Sequence, residues 1–185
     1  MRFSTSMLVV GAGLISAGSA HAATQVIGSG LARICYEAAE TERASRTALE
    51  TCDRALTEEA LAFDDMVATH VNRGILRGRM GDLQGALADY NRAISLDPEQ
   101  AEAYANKGGL ALKREAWSEA LSLFDTAIAK QTKRPEIAFY GRGIANEMTG
   151  NIAGAYADYK RAAELAPEWQ EPKVELARFR VRPNA

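Results

Sequence analysis

Residues 67–98 read VATHVNRGILRGRMGDLQGALADYNRAISLDP, and residues 136–167 read EIAFYGRGIANEMTGNIAGAYADYKRAAELAP. The two stretches hold the same residue types in one register: Gly74 with Gly143, Ala86 with Ala155, Tyr90 with Tyr159, and Ala93 with Ala162. Between them lies a third copy, in which Gly108, Ala120, Phe124 and Ala127 take those places. Self-similarity at a period of 34 to 35 residues marks a chain built of stacked supersecondary units. Inside each unit the apolar residues follow a helical period on both sides of a short polar break, such as Met80-Gly81-Asp82. Each unit is therefore a helix–turn–helix hairpin. Gly81 and Gly150 suit the left-handed position that ends a helix. Glu115 stands there in the middle unit, which predicts a variant turn. Gly74 and its equivalents predict a close approach of two helix backbones, with Tyr90 filling the space that Ala86 and Ala93 leave. Pro98 is expected to stop the second helix and to open the next as its first residue. Thr132 stands where the middle unit would carry that proline. Such a hairpin cannot bury its apolar face alone and must stack on a neighbour.

On these residues the chain resembles the tetratricopeptide-repeat family, whose pattern runs from a large apolar residue through Leu-Gly and Tyr to Ala-x-x-x-Phe and Pro. The middle unit matches with Tyr104, Gly108, Ala120 and Phe124, and the third with Phe139, Gly143, Ala155, Tyr159 and Pro167. His70 replaces the first aromatic of the first unit. The resemblance covers residues 67–169 and implies an all-α fold, a right-handed α-solenoid with repeats at 67–100, 101–134 and 136–169. Residues 23–66 are expected to form a degenerate N-terminal hairpin, and 170–185 a capping helix and tail. One departure is systematic: the family's Leu before the Gly is Arg73, Lys107 and Arg142 here. In the outer units an aspartate precedes the second-helix aromatic, Asp89 and Asp158, where the middle unit has Leu123. Two readings stay open for these charges. Either Arg73–Asp89 and Arg142–Asp158 pair within their hairpins, or all four are solvated.

The flanks carry their own signals. Arg2, the apolar run Met7–Ala17 and the small-x-small triplet Ala20-His21-Ala22 read as a secretory signal over residues 1–22, which places the mature chain in the periplasm or outside the cell. Aligning Asp53-Arg54-Ala55-Leu56 with Asn91-Arg92-Ala93-Ile94 puts Cys52 opposite Tyr90 and Cys35 opposite Arg73, positions that face each other in such a hairpin. In an exported chain with two cysteines this predicts a Cys35–Cys52 disulfide, the alternative being two free buried thiols. Trp169, Val174, Leu176, Ala177 and Phe179 are expected to cover the last hairpin. Arg178, Arg180 and Arg182 form either a basic patch or a solvated outer face.

A formal charge of −2 gives the chain no electrostatic reason to seek nucleic acid. No stretch of the mature chain approaches the length of a membrane span, so no stable insertion is expected. The sequence has no phosphate loop, nucleophile elbow or metal-spaced His/Cys/carboxylate set, so neither catalysis, metal nor cofactor is expected. His70 reads as a packing residue, and Glu58-Glu59 and Asp64-Asp65 as capping and first-turn acids. What remains is a surface. The resemblance implies a concave groove lined by Val71, Asn72, Ile75, Gly78 and Arg79, then Ala105, Asn106, Gly109, Leu112 and Lys113, then Tyr140, Ile144, Glu147 and Met148. The family's carboxylate-clamping subgroup needs charged and amide residues where Val71, Ile75, Ile137 and Gly141 stand, so that activity does not carry over. The expected occupant is an extended or helical protein segment with apolar anchors and an acidic residue. A homo-oligomeric envelope module and a non-catalytic accessory subunit of an envelope enzyme are the alternatives.

Overall fold

The computed structural model describes residues 2–3, 21–26, 30–41, 43–179 and 181–182. Most of the expected signal segment lies outside them. Among the described residues the chain forms four helical hairpins and a short final helix. The pairs are α1 (Leu31–Glu40) with α2 (Arg46–Glu58), α3 (Phe63–Arg79) with α4 (Leu83–Leu96), α5 (Ala101–Lys113) with α6 (Trp117–Ala129), and α7 (Pro135–Met148) with α8 (Ile152–Leu165). The last helix is α9 (Glu171–Ala177), and the two-residue strands β1 (Arg2–Phe3) and β2 (Val181–Arg182) pair antiparallel. The first helices α1, α3, α5 and α7 pack in series, and each second helix packs against the first helix of the next hairpin. The result is an all-α solenoid.

The repeated small residues explain the hairpin geometry. A Cβ added to Gly74 would lie 2.6 Å from the Tyr90 ring, one at Gly143 2.8 Å from Tyr159, and one at Gly108 3.0 Å from Phe124. The close approach is thus of an aromatic ring to a helix backbone, not of two backbones, because the ring fills the gap that the glycine opens. Ala86, Ala93, Ala120, Ala127, Ala155 and Ala162 are all fully buried beside these rings.

Three local expectations change. Glu115 adopts φ 57°, in the left-handed region that Gly81 and Gly150 occupy at 86° and 84°. The turn is therefore not a variant. Asp82, Ala116 and Asn151 each donate a backbone N–H to the carbonyl five residues back, Arg77, Ala111 and Asn146 respectively, which closes the same helix end three times. Pro98 does not open α5. It is the second residue of a turn in which Gln100 N–H bonds Asp97 C=O at 3.2 Å, and the next helix begins only at Ala101. Glu59 caps, but across the hairpin: its carboxylate accepts from Leu31 N–H at 2.6 Å and Ala32 N–H at 3.1 Å, at the start of α1. Asp64 and Asp65 stand in the first turn of α3, as expected of first-turn acids.

Both charge pairs form. Asp89, 2% exposed, accepts from Arg73 Nη2 at 2.6 Å and Nε at 3.0 Å, from Arg77 Nη1 at 2.8 Å and from His70 Nδ1 at 3.1 Å. Asp158 accepts from Arg142 Nη2 at 2.7 Å and Nε at 2.9 Å, and from Asn146 Nδ2 at 2.8 Å. Each arginine also reaches back to the preceding hairpin. Arg73 Nη1 meets Asp53 at 2.7 Å, and Arg142 Nη1 meets Asp125 at 2.7 Å. One planar guanidinium therefore ties its own second helix to the one before it, a role that its fixed fork of donors suits. Burial raises the Asp89 carboxyl, but the bonds from His70 and Arg73 and the charges of Arg73 and Arg77 together outweigh it and hold it below the usual carboxylate range. Hydrogen bonding to Asp158 first, then to Asp125, raises the Arg142 guanidinium against its partial burial.

In the N-terminal hairpin a covalent bond takes this place. Cys35 and Cys52 are joined with their Cα atoms 5.0 Å apart, and both are fully buried. At the other end Trp169, Leu176 and Phe179 pack on Tyr140 and Tyr159. Val174, expected in that cover, is 62% exposed. Arg178 is paired with Glu147 and Glu175, while Arg180 lies outside the described residues.

Candidate functional site

The inner side of the solenoid carries a strand-like segment of the chain itself. Asn72 on α3 is wholly buried, and its amide meets one residue twice: Oδ1 accepts from Thr24 N–H at 2.9 Å, and Nδ2 donates to Thr24 C=O at 2.7 Å. One unit on, Asn106 of α5 donates through Nδ2 to Ala22 C=O at 3.0 Å and to Glu102 C=O at 2.9 Å. A primary amide has both donors and an acceptor, so it can satisfy an extended backbone without reading its side chains. The segment alternates as an extended chain must. Ala22, Thr24 and Val26 are buried, Ala23 is half-buried and Gln25 faces solvent. Val26 joins a buried cluster with Ala32, Ala55 and Ala68. The Thr24 hydroxyl oxygen is buried without a hydrogen-bond partner.

Gly78 and Ala105 are buried, and the other groove residues divide into three groups. Val71 and Ile75 are fully buried in a core shared with Cys35, Ala39 and Cys52, and Arg79 Nη1 donates to Ala39 C=O at 2.6 Å. Helix α1 therefore covers the inner face of α3 that these residues would have presented. Tyr140 lies 4.8 Å from Trp169 and 5.6 Å from Tyr159, ring centre to ring centre, and Ile144 belongs to the same cluster. Glu147 accepts from Tyr159 Oη at 2.9 Å and Arg178 Nη2 at 2.8 Å. These three side chains pack with the C-terminal cap and its neighbours. Burial, helped by the charges of Glu175 and Glu171, pushes the Tyr140 phenol up to about 12. Lys113 and Met148 are exposed, Leu112 is half-buried, and nothing lies within 4 Å of a Cβ added at Gly109. Asn72 and Asn106 are the predicted residues that hydrogen-bond the extended segment among the described residues, and the amide ladder ends at Gly141, where a Cβ would meet Phe124 at 2.3 Å.

Both asparagines follow from the repeat register, but their occupant does not. The only sign of it was the alternation of small and β-branched residues at Ala22, Thr24 and Val26, which overlaps the triplet that reads as a cleavage site. Among the described residues no group of histidine, cysteine and carboxylate side chains could hold a metal ion, and no helix is long and apolar enough to cross a membrane.

The stacked hairpins define a helical-repeat scaffold whose inner face holds an extended strand. The Tetratricopeptide repeat family matches residues 71–135 and 110–168, and the chain belongs to that family. It is 29% identical over 140 residues to human tetratricopeptide repeat protein 36, covering 74% of this chain and 70% of that one. Against the longer human tetratricopeptide repeat protein 6, with 34% identity over 77 residues, it spans 15% of the length. Two solved structures share the fold. PilW, a type IV pilus biogenesis factor, superposes with a TM-score of 0.69 at 23% identity over 80% of this chain and 66% of that chain. The first repeat domain of Spaghetti (RPAP3), bound to an HSP90 peptide SRMEEVD, gives 0.57 at 22% identity over 60% and 87%.

Proposed function

We propose that this protein is an exported, non-catalytic interaction module that takes an extended segment of a partner protein along the Asn72–Asn106 face. The observation that carries this reading is the pair of side-chain amides already engaged with the main chain of Ala22 and Thr24. Amides that meet a backbone in this way serve any extended segment whose side chains fit. The peptide in the RPAP3 complex supports a peptide partner in general. An acidic C-terminal peptide fits poorly, because Val71 and Ile75 are buried under α1 and offer no charge. Export is supported by the signal-like residues 1–22 and by the Cys35–Cys52 bridge, which persists in an oxidising compartment.

A random peptide library displayed against the wild type and against an Asn72→Ala, Asn106→Ala variant tests the groove. Enriched peptides should bind the wild type and lose at least about tenfold in the variant, since each lost backbone bond leaves a buried group unpaired. If the same peptides bind both chains equally, the groove is not the site. For export, the chain isolated from the cell envelope should begin at Ala23 by intact mass. A full-length mass in the cytoplasmic fraction would end that part of the reading.

A further inference from the structure

We infer that Ala23–Val26, the start of the exported chain, is a displaceable internal ligand of the groove, and that a partner enters by replacing it with an extended segment bearing small aliphatic residues at alternate positions. This rests on the groove reading above and adds its regulation.

Three observations support it. The bonds to the strap are directed at main-chain atoms of Thr24 and Ala22, so nothing in them is particular to this sequence. The inward positions hold Ala22, Thr24 and Val26 with almost no exposed surface, so the face accepts small side chains and is closed to large ones. Thr24 is a poor central residue: its hydroxyl oxygen is buried without a partner, which disfavours the bound strap relative to one carrying a methyl in that place. A competing segment with Val at the centre makes the same backbone bonds without that loss. The strap holds its place through its tether, since attachment to α1 through Ile27-Gly28-Ser29-Gly30 gives it a high effective concentration. In the exported chain, which begins at Ala23, Thr24 keeps Asn72 while the Asn106 amide loses its Ala22 acceptor, so half the ladder lies open to a newcomer.

The test uses the exported chain, residues 23–185, as wild type, Thr24→Val and Thr24→Lys. The probe is a fluorescein-labelled peptide, Ala-His-Ala-Ala-Val-Gln-Val-Ile-Gly, read by anisotropy. Thr24→Val strengthens the strap and should weaken probe binding about tenfold, while Thr24→Lys expels it and should tighten binding by at least about tenfold. Hydrogen exchange at the residue-24 amide should slow in the first variant and quicken in the second. Equal probe affinity in wild type and Thr24→Val overturns the inference, and that comparison stands even if Thr24→Lys fails to fold. Absence of probe binding to a folded Thr24→Lys chain overturns it too. So does concentration-dependent dimerisation of wild type that Thr24→Lys abolishes, because the strap would then belong to a second copy. If library peptides still depend on Asn72 and Asn106 while the Thr24 series is flat, the groove reading survives and only the strap falls.

Discussion

The α3/α4 and α7/α8 hairpins share a backbone with the α5/α6 hairpin between them, yet differ from it in almost every local signal. The outer turns have glycine at the left-handed residue, and the middle turn has Glu115. Asp82 and Asn151 cap the second helices of the outer pair by accepting from Gly85 N–H and Gly154 N–H, whereas Ala116 offers no cap. Arg73 and Arg142 lock their hairpins to buried aspartates; Lys107 and Leu123 stand in those places between them. What all three keep is a glycine under an aromatic ring and two alanines beside it. Packing alone therefore fixes the shape of the hairpin, and capping, turn chemistry and charge decide how firmly it is held.

The comparison breaks most sharply at the buried carboxylate. Asp89→Ala removes the buried acceptor that Arg73, Arg77 and His70 share and should cost about 3–5 kcal/mol in urea unfolding, whereas Lys107→Ala should change stability by less than about 0.5 kcal/mol. Equal losses would mean that the charges are not what separates the units. Next comes the covalent version of the lock. Replacing Cys35 and Cys52 by alanine should remove about 3 kcal/mol, the loop-closure contribution of a bridge of this span. An unchanged urea midpoint would show that packing suffices in the N-terminal hairpin as well.

The acid side of the stability profile should follow Asp89. Its carboxyl titrates lower in the folded chain than in the unfolded one, so its contribution is fully present above the unfolded value of about 4 and fades as pH falls through the folded value. Urea midpoints between pH 5 and 2 should fall less steeply in Asp89→Asn than in the wild type. Parallel slopes would assign the acid sensitivity elsewhere. The smallest effect is a gain. Ala116→Asp supplies the missing cap, and Glu115→Gly relieves a left-handed side chain, each raising stability by about 0.5–1 kcal/mol. If neither raises the melting temperature, the middle turn is already satisfied in some other way.

Much of this was legible because it is local. The Gly-Ala-aromatic register gave the three hairpins, and the same register carried back along the chain put Cys35 opposite Cys52. The Arg73–Asp89 pairing was visible as an open choice, since both residues sit on one hairpin. Its extension to Asp53, and that of Arg142 to Asp125, depends on how one hairpin rotates onto the next, which no single repeat encodes. The groove was harder for a related reason. Asn72 and Asn106 were found by counting within repeats, but the cover that α1 places over Val71 and Ile75, and the cap over Tyr140, come from flanks without the repeat pattern. The strap offers only three alternating residues, too few to stand out as a strand.

Phe124, wedged against Gly141, gives the inner face a fixed gauge. Asn106 takes residue 22 and Asn72 takes residue 24, so the bound chain advances two residues per repeat and runs from α5 back toward α3, opposite to the order of the repeats. With Gly141 leaving no amide at the third rung, the ladder measures out a tripeptide and stops, and it also dictates which end of that tripeptide comes first.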